Sequence, residues 1–362
     1  MISLQKASIY FSTLIVTGVF ASGLTLAQVS QPFYQNKTLT LMVAVSAGGA
    51  SDIECRLYAR YLPKYLEGNP TIVVKNRAGA GGVLAINWLY ERGQRDGTVV
   101  LFQAAVAMYQ EWYAGNPQTT GLRANMTHII PAVFIPVVSV GTVRKNISPN
   151  IQIEKPEDIL KAKGWVTGGF RTNHTKDLKF RAILDLVGAQ YKYATGYPGS
   201  ANLLAAFMRK EIDYVDGSTA FFLNRVKPVA VDTGQAVPIW YDSPVQLNQL
   251  APAYNSHQFV KKLTGKNPSG PLWDIFQASR TYRMLLFPPE VPQQAIQALQ
   301  EAFRALHNNP VFLTEYKTTV GIKPTFITKQ PDLLRVLDKL KNLSIKIKEF
   351  RAKYIKKATG RK

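Results

Sequence analysis

Residues 38–45 make an almost unbroken β-favouring run, Thr-Leu-Thr-Leu-Met-Val-Ala-Val, which breaks into Ser46-Ala47-Gly48-Gly49-Ala50. An apolar run of this length, bounded by a glycine turn, predicts a buried strand closing in a tight loop. Ser51-Asp52-Ile53-Glu54 follows with the spacing of a capping box, in which Ser51 accepts from a first-turn amide and Glu54 reaches back. A helix is expected to start here, with Ile53, Leu57, Tyr61 and Leu62 on one face and Pro63 ending or kinking it. The unit then repeats: strand 71–75, glycine loop 76–82, helix 83–92, turn Asp96-Gly97 and strand 98–102. This β-α-β-α-β series predicts an α/β fold with a parallel sheet.

The apolar stretch 129–143, broken by Pro131 and Pro136, reads as the crossover into a second domain. A strand at 165–167, a loop at 168–174 and a helix at 175–187 open that domain. Tyr197-Pro198-Gly199-Ser200 introduces a helix at 201–209, a strand follows at 212–215, and 226–231 has the look of the return strand. Residues 242–279, rich in Pro, Gly and Asn, read as irregular. A strand at 282–287, a proline turn at 288–292 and a strongly amphipathic helix at 293–307 complete the pattern.

At the N-terminus, a head with Lys6 as its one cation leads into an apolar run at 9–20 and then to Thr25-Leu26-Ala27. That run is short of the roughly 20 residues a membrane span needs. It reads as a secretory signal peptide, residues 1–27, cut after Ala27, and an uncleaved anchor is the competing reading. The remaining chain is expected to be soluble and exported.

Forty-four Lys and Arg against 23 Asp and Glu give a net charge of +21 over 362 residues, and 46% of residues are hydrophobic. This balance excludes an acidic protein, a disordered one and a multi-span membrane protein. Much of the charge sits at the end, where residues 332–362 hold eleven Lys or Arg against Asp332, Asp338 and Glu349. Residues 341–362 are therefore set apart as a basic C-terminal helix or tail. Cys55, the one cysteine, excludes an internal disulfide and a cysteine-built metal site. The four histidines, His128, His174, His257 and His307, match no metal-ligating spacing, so neither metal nor cofactor is expected.

The two N-terminal glycine loops carry the candidate chemistry. Each is expected to end a parallel strand and feed a helix, leaving first-turn amides without partners. Each such terminus favours a negative group by ~0.3–2 kcal/mol. Converging ends would hold a small anionic or zwitterionic ligand without a charged side chain, while ordinary turn chemistry is the competing reading. Gly79-Ala80-Gly81-Gly82-Val83-Leu84 is not a dinucleotide fingerprint, because Leu84 stands at the third glycine position. No P-loop and no nucleophile elbow occurs. Arg77 and Arg171 are read either as charge-assisted ligand contacts or as structural arginines. His174 is read either as a ligand contact or as a helix cap.

The runs Val43-Ala44-Val45-Ser46-Ala47-Gly48-Gly49-Ala50-Ser51-Asp52, Val73-Val74-Lys75-Asn76-Arg77-Ala78-Gly79-Ala80-Gly81-Gly82 and Asp96-Gly97-Thr98, in this order and spacing, resemble the Bug-type substrate-binding receptors of tripartite tricarboxylate transporters. Tyr197-Pro198-Gly199-Ser200-Ala201, Glu211-Ile212-Asp213 and the 288–292 turn extend the resemblance over roughly residues 37–340. It implies a type II-like periplasmic-binding-protein fold: two mostly parallel sheets flanked by helices, joined by crossover strands. Domain 1 would comprise 32–142 plus 235–340, and domain 2 would comprise 143–234. It also implies that Ala47, Gly48, Gly49, Ser51 and Asp52 hold the ligand's inner carboxyl end, with Arg77 and Ala78, Gly79, Ala80, Gly81 and Gly82 alongside. Thr172, Asn173, His174, Thr175 and Gly199 would complete the site from domain 2. The sequence departs from the family pattern at Val45, Ala44 and Ala78, at Arg171-Thr172-Asn173-His174, and at Asp177 and Asp216.

The expected function is that of an exported, monomeric receptor that captures a small carboxylate and passes it to a membrane permease. Catalysis and nucleic-acid binding are not expected. Two other readings remain: a polyanion- or nucleic-acid-binding protein, suggested by the charge, and an enzyme on the same scaffold, for which Asp213 and Asp216 offer carboxylates.

Overall fold

The computed structural model describes residues 31–115, 121–148, 151–243 and 247–358. The expected signal segment lies outside them. In the first lobe, β1 (Thr38–Val43), β2 (Thr71–Asn76), β3 (Val99–Gln103) and β4 (Ile130–Pro136) are connected through α1 (Ala50–Tyr61), α2 (Val83–Arg92) and α3 (Val106–Tyr113). β3 is buried along its whole length, as a central strand covered on both faces must be.

The chain then crosses into a second sheet. There β5 (Ser139–Arg144) precedes a two-stranded ribbon, β6 (Asn146–Ser148) with β7 (Ile151–Gln152). β8 (Lys163–Gly169), α4 (Thr175–Leu186), β9 (Gln190–Thr195), α5 (Ser200–Met208) and β10 (Tyr214–Ser218) continue it. A turn of helix, α6 (Thr219–Phe221), runs on into a π-helical stretch, Phe222–Val231. Next come β11 (Ala236–Tyr241), β12 (Tyr254–Asn255), α7 (Ser256–Thr264) and α8 (Gly270–Ala278). β13 (Tyr282–Phe287) returns to the first sheet, followed by α9 (Gln293–Leu306), α10 (Pro310–Val320), α11 (Gln330–Lys346) and α12 (Lys348–Ala358).

The first sheet has the order β2-β1-β3-β13-β4, parallel except for β13. The second has the order β12-β11-β5-β10-β8-β9, with β5 antiparallel to both neighbours. Two segments cross between the sheets side by side, where the Val137 amide donates to the Thr281 carbonyl at 2.9 Å. Just beyond, Gly141 is pinned by close approach: a Cβ there would lie 2.3 Å from the Trp240 indole nitrogen and 2.4 Å from the Tyr214 hydroxyl.

Several expectations are corrected. The run 226–231 is π-helical rather than a return strand, with Val226 and Ala230 buried in a helical pattern. The segment 242–279 is not irregular, since it contains α7 and α8, and α8 packs Ile275 and Phe276 into the second core. The return to the first sheet, expected at 235, comes at β13, because β11 pairs with β5. The Ser51 capping box is absent as well. Gly49 is the N-cap, Ser51 already lies inside α1, and Glu54 turns into the core. There Glu54 accepts from the Tyr58 and Tyr316 hydroxyls at 3.0 and 2.9 Å and pairs with Arg283 at 3.3 Å.

The C-terminal helices pack against both lobes. Arg351 of α12 is buried and pairs with Glu111 of α3 at 2.6 Å, while Tyr354 donates to Asp185 of α4 at 2.5 Å. Among the described residues, no helix is long and apolar enough to cross a membrane.

Candidate functional site

Parallel strands of both sheets end at one cleft of about 510 Å³. α1 and α2 of the first lobe and α4 and α5 of the second bring their N-terminal residues to its walls: Gly49 and Ser51, Gly82, His174 and Thr175, Gly199 and Ser200. The first turn of each helix has amides with no intrahelical acceptor, so four partial positive charges surround one space. The strand ends of an open α/β sheet are where such ligands settle.

The first-lobe wall is mostly backbone, and the one charged side chain among its described lining residues is Arg283, paired with Glu54. The wall runs from Ala44 to Ala47 with Gly49 and Ser51, then through Ala78, Gly79, Ala80, Gly81 and Gly82, with Gln103 and Ala104 behind. Residues 79–82 all have positive φ, including Ala80 at 46°. An L-residue disfavours that region, so the glycines permit this turn. α1 is tied down from outside the cleft. Asp52 accepts from the Gly48 amide at 2.8 Å, from Asn76 at 2.9 Å and from Arg56 at 3.0 Å. Burial pushes the Asp52 carboxyl up, but these donors outweigh it and hold the group below its usual range.

The second-lobe wall is made of side chains. Phe170, Arg171, His174 and Lys176 come from the β8–α4 connection, Tyr197 and Asn202 from around α5, and Asp216 and Ser218 from β10. Arg171 and His174 reach the opposite wall: a Cβ on Gly81 would stand 3.1 Å from the Arg171 guanidinium carbon and 3.3 Å from the His174 ring. His174 satisfies both of its readings, lining the cleft while its Nδ1 accepts from the Lys176 amide at 3.2 Å as the cap of α4. Burial, with the Arg171 and Lys176 cations adding to it, pushes its imidazole down to about 3.

Behind this wall lies a buried charge network. Lys176 Nζ is 3.7 Å from Asp177 Oδ1 and 4.0 Å from Asp216 Oδ1. Lys179, fully buried, donates to the Ser139 hydroxyl at 2.6 Å and lies 3.7 Å from Asp242. Arg280 makes two contacts of 3.0 Å to Asp242. Desolvation pushes the Asp216 carboxyl up to about 6, Asp177 and Asp242 add to the rise, and Lys176 and Lys179 oppose it. Desolvation likewise lowers Lys179.

Of the residues expected at the site, Ala47, Gly49, Ser51, Ala78, Gly79, Ala80, Gly81, Gly82, His174, Thr175 and Gly199 line the cleft. Gly48, Asp52, Arg77, Thr172 and Asn173 do not. Asp52 faces its three donors, and the Arg77 guanidinium sits 5.3 Å over the Trp88 ring on the outer side. The Thr172 carbonyl accepts from Arg181. Lys176, Asp216, Ser139, Phe170 and Gln103 were missed as site residues. Asp213, the other carboxylate considered for catalysis, accepts from the Val166 amide and pairs with Arg144 at 3.6 Å. Among the described residues, no cluster of three or more His, Cys, Asp or Glu could hold a metal ion.

A cleft whose walls come from separate sheets, bridged by paired crossovers, is the architecture of the periplasmic-binding-protein fold. Solved structures of that fold match nearly the whole described chain. BugD, a periplasmic binding protein, matches at a TM-score of 0.65 and 18% identity, over 89% of this chain and 98% of its own. A Rhodopseudomonas palustris protein solved with adipate matches at 0.67 and 17%, over 89% and 97%. MatC from the same organism, solved with malate, matches at 0.62 and 15%, over 88% and 98%.

In sequence, the chain is 36% identical over 95 residues to BugT of Bordetella pertussis, covering 26% of this chain and 28% of BugT. It is 25% identical over 221 residues to a UPF0065 protein from the TAR-I ttuE-ttuC' intergenic region of Agrobacterium vitis, covering 59% and 62%. The matches thus span less than two thirds of either relative. No family model matches the chain. The resemblance to Bug-type receptors, read first from the glycine loops, is borne out by the partial match to BugT and the UPF0065 protein, and the fold it implies by the structural neighbours.

Proposed function

We propose that the protein is an exported solute receptor that binds a small carboxylate between its lobes and delivers it to a membrane permease. The observation that carries this reading is the convergence of four helix N-termini on one cleft. Such a ring of amides favours an anion, and the first-lobe cation at the cleft, Arg283, is already paired with Glu54. Closure follows from the same geometry: a ligand touching both walls binds the closed form more tightly than the open one, and that difference drives the lobes together. The closed shape is then what the permease meets. The adipate and malate carried by two structural neighbours support the carboxylate class. The protein acts as a monomer in the periplasm and does no chemistry on its ligand.

The test is thermal unfolding against panels of dicarboxylates, tricarboxylates, aromatic acids and amino acids, with neutral sugars as controls. A bound ligand raises the midpoint. One carboxylate class should do so, and Gly49→Leu should abolish the rise, since a Cβ there would already crowd the Ser46 carbonyl at 3.1 Å and Val45 at 3.3 Å. No rise with any acid, together with a salt-sensitive rise with polyanions, would overturn the reading.

A further inference from the structure

Three polar groups at the second-lobe wall are buried without a hydrogen-bond partner: Lys176 Nζ, Asp177 Oδ1 and both oxygens of Asp216. Lys176 and Asp216 line the cleft, and Asp216 is 0% exposed. Orphaned donors and acceptors of this kind cost the fold free energy, so their persistence side by side asks for a missing partner. Lys176 is turned inward rather than out to solvent. Its ammonium is held over the rings of Phe170 at 4.7 Å and Phe180 at 5.1 Å.

We infer that Lys176 and Asp216 form a hydroxyl-recognising subsite, so that the ligand is a hydroxy-carboxylate rather than a plain dicarboxylate or an amino acid. This rests on the receptor reading above and names its ligand class. The two side chains stand 4.0 Å apart. A hydroxyl oxygen at an ordinary hydrogen-bond distance of ~2.8 Å from each would bridge them, accepting from the ammonium and donating to the carboxylate, once a small shift of the wall admits it. Other groups fit less well. An ammonium would pair with Asp216 but face Lys176 and the nearby Arg171, whereas a carboxylate would pair with Lys176 but face Asp216 and Asp177. A methylene would leave every group unpartnered. The carboxylate ends of the ligand keep the helix N-termini, so the pair adds selectivity on top of anion binding.

The experiment is calorimetric titration of the purified protein with matched triads: succinate, malate and aspartate, then glutarate, 2-hydroxyglutarate and glutamate. Within at least one triad the hydroxy acid should bind tightest, by at least about tenfold over the plain acid, because a site built around a hydroxyl leaves its polar groups unpaired with the analogue lacking it. Asp216→Asn and Lys176→Met should each reduce that preference to within about twofold, with circular dichroism confirming that both variants fold. Equal affinity for plain and hydroxy acids in the unaltered protein would mean that the pair holds only water, overturning the inference while leaving the receptor reading intact. Tightest binding of the amino acid would overturn it in the same way. Binding of no acid in either triad, nor of any acid in the wider thermal panel, would overturn both.

Discussion

The two walls of the cleft are built by opposite means. The first lobe offers mostly main chain, a curl of positive-φ residues and two helix ends, with Arg283 held by Glu54 and Asp52 turned outward to brace them. The second offers Arg171, His174, Lys176 and Asp216, propped by a network of buried charges. Backbone amides recognise negative charge generically and cannot be retuned by one substitution. Side chains set the match to a particular ligand, but each buried one brings a desolvation cost and needs a partner. On the proposed reading, attraction for an anion comes from the helix ends of both walls, and choice among anions from the side chains of the second.

Four substitutions test that division. The largest effect should come from Lys179→Met, which removes the cation facing Ser139 and Asp242. The fold should lose about 3 kcal/mol in urea unfolding, and a loss under about 1 kcal/mol would show that the second wall does not depend on its buried charges. Gly81→Val forces a β-branched residue to a φ of 62° and presses on Arg171, so the lobes cannot meet. It should weaken every acid alike by about a hundredfold, ~2.7 kcal/mol. A change in preference among acids would break the comparison.

His174→Gln should act through pH. The unfolded imidazole titrates near 6.5, while the folded one stays neutral down to about 3. His174 therefore contributes stability above pH 6.5 that is lost as the pH falls. Asp216 works oppositely: its carboxyl, raised to about 6, takes a proton in the folded state first, so stability rises as the pH falls from about 6 towards 4. Between pH 7 and pH 5 the substitution should recover on the order of 1 kcal/mol relative to the unaltered protein, read from urea midpoints at the two values. An identical pH dependence in both proteins would remove His174 from the account. The smallest effect should be that of Arg77→Ala, on the outer side of the first wall. Stability should change by under about 0.5 kcal/mol and acid binding not at all. A tenfold loss of binding would return Arg77 to the site.

Much of the first lobe was legible. Helix 83–92 and strand 282–287 coincide with α2 and β13, and strands 71–75 and 98–102 fall within one residue of β2 and β3. Those segments combine a clear period with glycine or proline boundaries. The second lobe was read less well. Val226 to Val231 is a short apolar run, which periodicity cannot assign to strand or helix, and Pro228 sits within its π-helical turns. The prolines and glycines of 242–279 suggested a loop, yet Gly270 and Pro271 only open α8.

The site divides in the same way. Glycine loops announce themselves because few other residues hold a positive φ, and a strand-loop-helix order places their amides at a sheet edge whatever the rest of the chain does. The sequence by itself therefore determined the α/β class and the backbone wall with its outward-facing amides. It could not choose Arg171 over Arg77, nor pair Lys176 with Asp216 across forty positions of chain. Those depend on which side of a loop a long side chain packs and on which strand lies beside which. Burial and pairing are properties of the assembled sheets, so only the tertiary structure decided them.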